Sequence, residues 1–252
     1  MRIKCLGCDV LARAIYWSAA QSPHIVDVQL LERGLHNTPA VLRARLQEQI
    51  DSAAGQGYDA VVLAYGLCGQ ATAGLIANGA PLIIPRAHDC ITLFLGSRER
   101  YNEQFISQPG TYWYTLDYLE RRQDSTTSLS LGLGSDTDLQ AFYEEYVQKY
   151  GKDNADYLME VMGAWQSHYK RAVYIDLGVG DGSSFEAQAQ MEASRRGWVF
   201  ERMTCDLVLI RRLIQCEWGD GETGDFLILK PGQAMRMTYD ENIIGCDEVK
   251  HA

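Results

Sequence analysis

The feature that most constrains this chain is the regular alternation of short apolar runs with amphipathic segments through residues 1–110. "RIKCLG" (2–7), "IVDVQLLE" (25–32), "DAVVLAY" (59–65) and "PLIIP" (81–85) have the length and branched-residue content of strands. Between them lie helical patterns, "DVLARAIYWSAA" (9–20) and "TPAVLRARLQEQIDSAA" (38–54). In the second of these, Thr38 is placed to cap the helix and Pro39 to occupy its first position, where a missing N–H costs nothing. A further helix is expected after Gly69 and another from Cys90. Strands that alternate with helices imply a parallel sheet with right-handed crossovers. The run "VVLA", apolar without interruption, suits a strand covered on both faces.

The pattern then changes and returns. "TYWYTL" (111–116) is an aromatic strand, and the polar, glycine-rich residues 123–136 read as a loop. Residues 138–169 carry helical periodicity with no strand between. From "AVYIDLG" (172–178) strand and helix alternate again, ending on "DFLILKPG" (225–232). The expectation is a Rossmann-like α/β protein. A first α/β half would span 1–110, an aromatic strand, loop and helical segment 111–170, and a second α/β half 171–252.

Composition narrows the function. A net charge of -10, with the basic residues scattered, argues against a nucleic-acid surface. No apolar run approaches the ~18 residues that span a bilayer, and the N-terminus carries charges where a signal peptide has its apolar core. A soluble cytoplasmic protein is expected. Seven cysteines, an odd number with only Cys5 and Cys8 forming a C-x-x-C, are neither a disulfide framework nor a zinc ribbon. Cys5, Cys216 and Cys246 read as inert thiols.

Ligands of open parallel sheets bind outside the carboxyl ends of the strands. Reading each strand to its end gives Cys8, then His36, then Cys68 in "YGLCG", then His88 and Cys90 in "HDC". Three thiols with an imidazole at one sheet edge suit a soft metal. Cys8, Cys68, Cys90 and His36 are therefore the candidate metal ligands, and the three sulfurs are expected to converge. His88 is equally readable as an exposed loop histidine.

"LERGLHNTP", "YGLCG", "DCITLFLGSRERY" and "PGTYWYT" together resemble the motifs of a bacterial and archaeal family, domain of unknown function 1638. The resemblance implies a cysteine in the first loop, one in "YGLCG" and one in "DC", here Cys8, Cys68 and Cys90. Asp9 stands where the family usually has glycine, which leaves Cys5 as an alternative ligand. Members tend to occur beside corrinoid and other one-carbon methyl-transfer systems, so the resemblance implies methyl or alkyl transfer, with a corrinoid protein as a candidate partner.

"VYIDLGVGDGSS" places Asp176, Gly178 and Gly180 between a strand and a helix. That resembles the first motif of adenosylmethionine-dependent methyltransferases, but too little chain follows for the rest of that fold. A tight turn, with Ser183 or Ser184 capping the helix and the loop lining a ligand cleft, is the simpler expectation. Arg86 and Arg98 (with Arg100) border the cysteine loops as solvated residues or as anchors for a substrate carboxylate or phosphate. Tyr112 starts an alternating aromatic strand with one face toward the core and one toward the cleft.

The leading expectation is a zinc-thiolate enzyme acting on a small-molecule substrate. Three thiolates make zinc a poor activator of water and a better holder of a substrate thiolate. An iron–sulfur cluster serving dehydration or electron transfer is the first alternative. An adenosylmethionine-dependent methyltransferase and a non-catalytic metal or cofactor carrier are the others.

Overall fold

The computed structural model describes residues 1–122, 168–221 and 224–249, with residues 144, 147, 148, 151–154 and 156 between them. The expected loop at 123–136 and most of the expected helical segment at 138–169 lie outside the described residues. The fold is mixed α/β, built on a mostly parallel central sheet. β1 (Arg2–Cys8), β2 (Ile25–Leu31), β3 (Ala60–Ala64) and β4 (Leu82–Pro85) are its parallel strands. All five residues of β3 are buried, as an uninterrupted apolar run requires.

α1 (Ala12–Ala20) follows a short 3-10 turn after β1, and α2 (Pro39–Ala53) joins β2 to β3. Leu42, Leu46 and Ile50 of α2 recur at a helical spacing and are fully buried. Pro39 is the first residue of α2 as expected, whereas the Thr38 side chain makes no capping hydrogen bond. The helix expected after Gly69 does not form. Residues 68–74 are turns, with Cys68, Gly69 and Gln70 all at positive φ, a backbone that cannot start an α-helix.

The strand order is β2-β1-β3-β4-β8, where β8 (Phe226–Leu229) comes from the far end of the chain and lies antiparallel to β4. The expected division at residue 171 therefore does not separate the two sheets, since a strand from 171–252 completes the first. A hairpin that the sequence reading lacked, β9 (Gln233–Met237) with β10 (Ile244–Glu248), follows β8. An Ile76–Ala234 bridge ties it to the β3–β4 connection. The second sheet, β5 (Thr111–Thr115), β6 (Arg171–Asp176) and β7 (Val199–Thr204), is parallel throughout. α3 (Cys90–Leu95) and α4 (Arg98–Ser107) link the sheets, and α5 (Leu116–Arg122) follows β5. α6 (Ser183–Arg195) and α7 (Val208–Ile214) flank β7 in sequence.

Among the described residues no helix is long and apolar enough to cross a membrane.

Candidate functional site

From β1 the chain moves to β2 on one side, while β3 lies on the other. Such a switch opens a crevice at the carboxyl ends of the two strands. Cys8 is the last residue of β1 and is 2% exposed. Cys68 sits four residues past β3, half-buried, and Cys90 opens α3.

The two later loops are locked together. The N–H groups of Leu67 and Cys68 donate to Ala87 and His88 carbonyls at 2.8 and 2.9 Å. Gly66 lies against Asp89 so closely that a Cβ there would stand 2.6 Å from the Asp89 nitrogen and Cα. The glycine of "YGLCG" is thus the gap into which the backbone of "DC" fits. Cys68 itself holds φ +47, a left-handed conformation uncommon outside glycine. Asp89 caps α3, accepting from the Ile91 and Thr92 N–H groups at 2.9 and 3.3 Å and from the Tyr101 hydroxyl at 3.2 Å.

Asp9 has a structural role. Its carboxylate accepts from the Arg33 N–H at 2.9 Å and contacts the Cys8 sulfur at 3.8 Å. This fixes the 3-10 turn Arg33–Asn37 that carries His36. His36 Nδ1 lies 3.0 Å from the Arg33 carbonyl, which only accepts, so Nδ1 carries the proton. Burial lowers the imidazole pKa below 6.5 and favours the neutral ring, leaving the Nε2 lone pair available as a ligand.

Cys8, Cys68, Cys90 and His36 all border one cavity of about 480 Å³. Burial pushes the Cys68 thiol up to about 12, with Asp89 adding to the rise and the N–H groups of Gly66 and Cys90 opposing it. Cys8 and Cys90 are raised well above the ordinary thiol value, again by burial first. Cys90 is also raised by the neighbouring charges of Asp89, Cys68 and Cys8, so the sulfurs lie within electrostatic reach of one another. The expected convergence stops there: among the described residues no three His, Cys, Asp or Glu side chains already form a group able to hold a metal ion.

Tyr65 is the residue that sequence reasoning missed. Its side chain is fully buried, and its ring stacks on His36 with centroids 5.8 Å apart. Among the described residues its hydroxyl has no hydrogen-bond partner. Burial raises its pKa above the ordinary phenol value, and Cys8, Cys68, Asp9 and Cys90 raise it further. The signal was in "AYGLCG", a polar-tipped aromatic at the inner end of a fully buried strand.

Other expected site residues lie elsewhere. Cys5 is fully buried in mid-strand, three residues from Cys8 and so on the opposite face of β1, with its pKa pushed to about 12 by burial. It is no substitute for Cys8. Arg86 is buried and donates to the carbonyls of Ile244, of Gly221 at 3.2 Å and of Asn242 at 3.3 Å, holding the hairpin on the sheet. Arg98 donates to the carbonyls of Glu241 and, at 3.2 Å, Gly224. Neither lines the cavity. Asp176, Gly178 and Gly180 do not line it either. Asp176 accepts from the Gly178 N–H at 2.9 Å and pairs with Arg202 at 2.5 Å, and Gly180 packs on Arg13 and Leu116. The helix start after that loop is held by Asp181, which accepts from both the N–H and the hydroxyl of Ser183, rather than by a serine cap. Tyr112 does line the cavity, and His88 lies at it as an exposed residue stacked on Tyr101.

The family described as Protein of unknown function (DUF1638) matches residues 30–214, and the chain belongs to it. No curated protein and no solved structure matches the chain.

Proposed function

Starting from a member of that family whose three motif cysteines border one cavity, we propose a zinc-thiolate enzyme that alkylates a substrate thiol. Cys8, Cys68 and Cys90 would supply the sulfurs and His36 Nε2 the nearest nitrogen. The observation that carries this reading is that Cys8, Cys68, Cys90 and His36 border one cavity, with the Tyr65 ring stacked on His36 and its buried hydroxyl left without a partner among the described residues. An unpartnered buried hydroxyl costs about 1–3 kcal/mol, and thiolate sulfurs would accept its hydrogen bond where neutral thiols accept poorly. The donor set, three sulfurs and an imidazole, suits a soft divalent ion, and side-chain rotation of the cysteines would close it. The first sheet reads as Rossmann-like, with its ligand crevice at the switch between β1 and β3. Seven free cysteines suit a reducing cytoplasm.

When bound, zinc supplies an electron-rich centre at which a substrate thiol loses its proton near neutral pH. The N–H groups of Gly66 and Cys90 favour negative charge on Cys68, and the Tyr65 hydroxyl would donate to a thiolate once the sulfurs are drawn together around an ion. The apolar rings of the lining would disfavour water beside the reacting sulfur and so favour attack by sulfur over hydrolysis of the donor. The substrate sulfur forms a bond to the alkyl carbon as the donor's bond to that carbon breaks. The electron pair leaves with the donor, and the thiol proton has gone to solvent. The family resemblance suggests a methyl-corrinoid protein as donor.

Anaerobic purification with metal analysis and an absorption spectrum tests the reading. A colourless protein with about one zinc per chain is expected. Cys68→Ser should lose the metal with only a small change in melting temperature, because the large apolar core folds without a metal staple. A brown protein with visible bands would make it an iron–sulfur protein, and a chain that takes up no metal would overturn the reading.

A further inference from the structure

The cavity that the thiols border is also lined by many rings. On one side stand Tyr112, Trp113 and Tyr118 of β5 and α5, with Tyr169 beside them. On the other stand Phe94, Tyr101 and Phe105 of α3 and α4. Tyr101 and Phe105 are nearly parallel, 11° apart with centroids separated by 6.1 Å, and His88 continues the stack at 5.8 Å. A pocket of a few hundred cubic ångströms with such walls takes a small molecule and grips it through flat apolar faces.

Three of the ring hydroxyls on these walls are engaged within the protein. The hydroxyls of Tyr112 and Tyr118 bond each other at 2.9 Å, and the Tyr101 hydroxyl is spent on Asp89. The two charged residues of the lining, Asp89 half-buried and Arg33 buried, are engaged as well. Asp89 caps α3, and Arg33 lies over the Tyr118 ring at 4.8 Å and donates to the Tyr118 carbonyl at 3.4 Å. A ligand with a second ionised group would have to draw Arg33 away from the Tyr118 ring and carbonyl, or bury its charge without a counter-charge among the described residues, at a cost of several kcal/mol.

We propose that the cavity binds an uncharged aromatic molecule of one or two rings that presents a single thiol toward Cys8, Cys68 and Cys90. The proposal rests on the preceding reading for the direction of the thiol, while the class of the ligand body follows from the walls alone.

Calorimetric titration of the full chain, metal-free and cobalt-loaded, tests both parts with three probes. These are 4-methylbenzenethiol, its charged isostere 4-mercaptobenzoate, and the saturated cyclohexanethiol. Expected is binding of 4-methylbenzenethiol at least about tenfold tighter than 4-mercaptobenzoate and about threefold tighter than cyclohexanethiol. Phe105 is 60% exposed on a helix with no buried residue, so Phe105→Ala leaves the fold intact. That variant should weaken the aromatic probe about three- to tenfold and erase its advantage over cyclohexanethiol, with Phe105→Tyr restoring both. Equal or tighter binding of 4-mercaptobenzoate, or indifference to Phe105→Ala, overturns the assignment. Cobalt that is not retained while the aromatic preference persists overturns the metal reading and leaves this one standing. Cobalt that is retained with no aromatic preference does the reverse.

Discussion

Removing the Tyr65 hydroxyl should stabilise the metal-free protein. The ring of Tyr65→Phe keeps its place, fully buried and stacked on His36. What goes is a buried hydroxyl with no hydrogen-bond partner among the described residues. Such a group costs about 1–3 kcal/mol relative to a solvated or bonded one. The void left by one oxygen, roughly 10 Å³ at ~24 cal/mol per Å³, returns only about 0.2 kcal/mol of that. The net expectation is a gain of about 1–2 kcal/mol. For a chain of this size each kcal/mol moves the melting temperature about 2–4 °C, so a rise of roughly 2–8 °C is expected. The assay is thermal and urea unfolding of chelator-treated wild type and variant side by side. With zinc present the order should reverse or the gap close, since the hydroxyl then has a thiolate to donate to. A metal-free variant less stable than wild type by 1 kcal/mol or more, on the scale of one lost hydrogen bond, would refute the reasoning.

Cys5→Ser should cost about 1–3 kcal/mol in urea unfolding by burying a hydroxyl in the core, yet retain metal like wild type; metal loss would put Cys5 into the site. Gly66→Ala should destabilise by roughly 1–3 kcal/mol or more, because its Cβ meets the Asp89 backbone rather than a movable side chain. A melting temperature equal to wild type would show the two loops to be less tightly locked than described. The Asp27 carboxyl is held below its ordinary 3.8 by hydrogen bonds from Tyr58 and then Arg2. A lowered folded-state pKa adds stability above that ordinary value and loses it as the pH falls through the folded one. Wild type should therefore hold a small advantage over Asp27→Asn near neutral pH that vanishes on acidification; an advantage growing toward low pH would contradict the sign.

The alternation of apolar runs and amphipathic segments determined most of the elements by itself. Burial on both faces and on one helical stripe leaves periods that are local properties of the chain. The same locality placed Cys8, Cys68 and Cys90 at strand ends, because a strand must stop where its apolar run stops. Pairing across long sequence distances was not legible. Nothing in "DFLILKPG" announces that β8 joins β4 antiparallel, or that a hairpin follows, since that partner is chosen by the exposed edge of the first sheet. Turn conformation was misread after Cys68 because left-handed backbone at a cysteine and a glutamine runs against local preference and is imposed by the contact of Gly66 with Asp89. Arg86 and Arg98 looked like anion anchors by their place beside the cysteine loops, but carbonyls of the distant C-terminal segment claimed both. The role of Tyr65 was hidden for the same reason. Its residue type announces a ring to bury, whereas the missing partner of its hydroxyl exists only once three distant loops have closed around it.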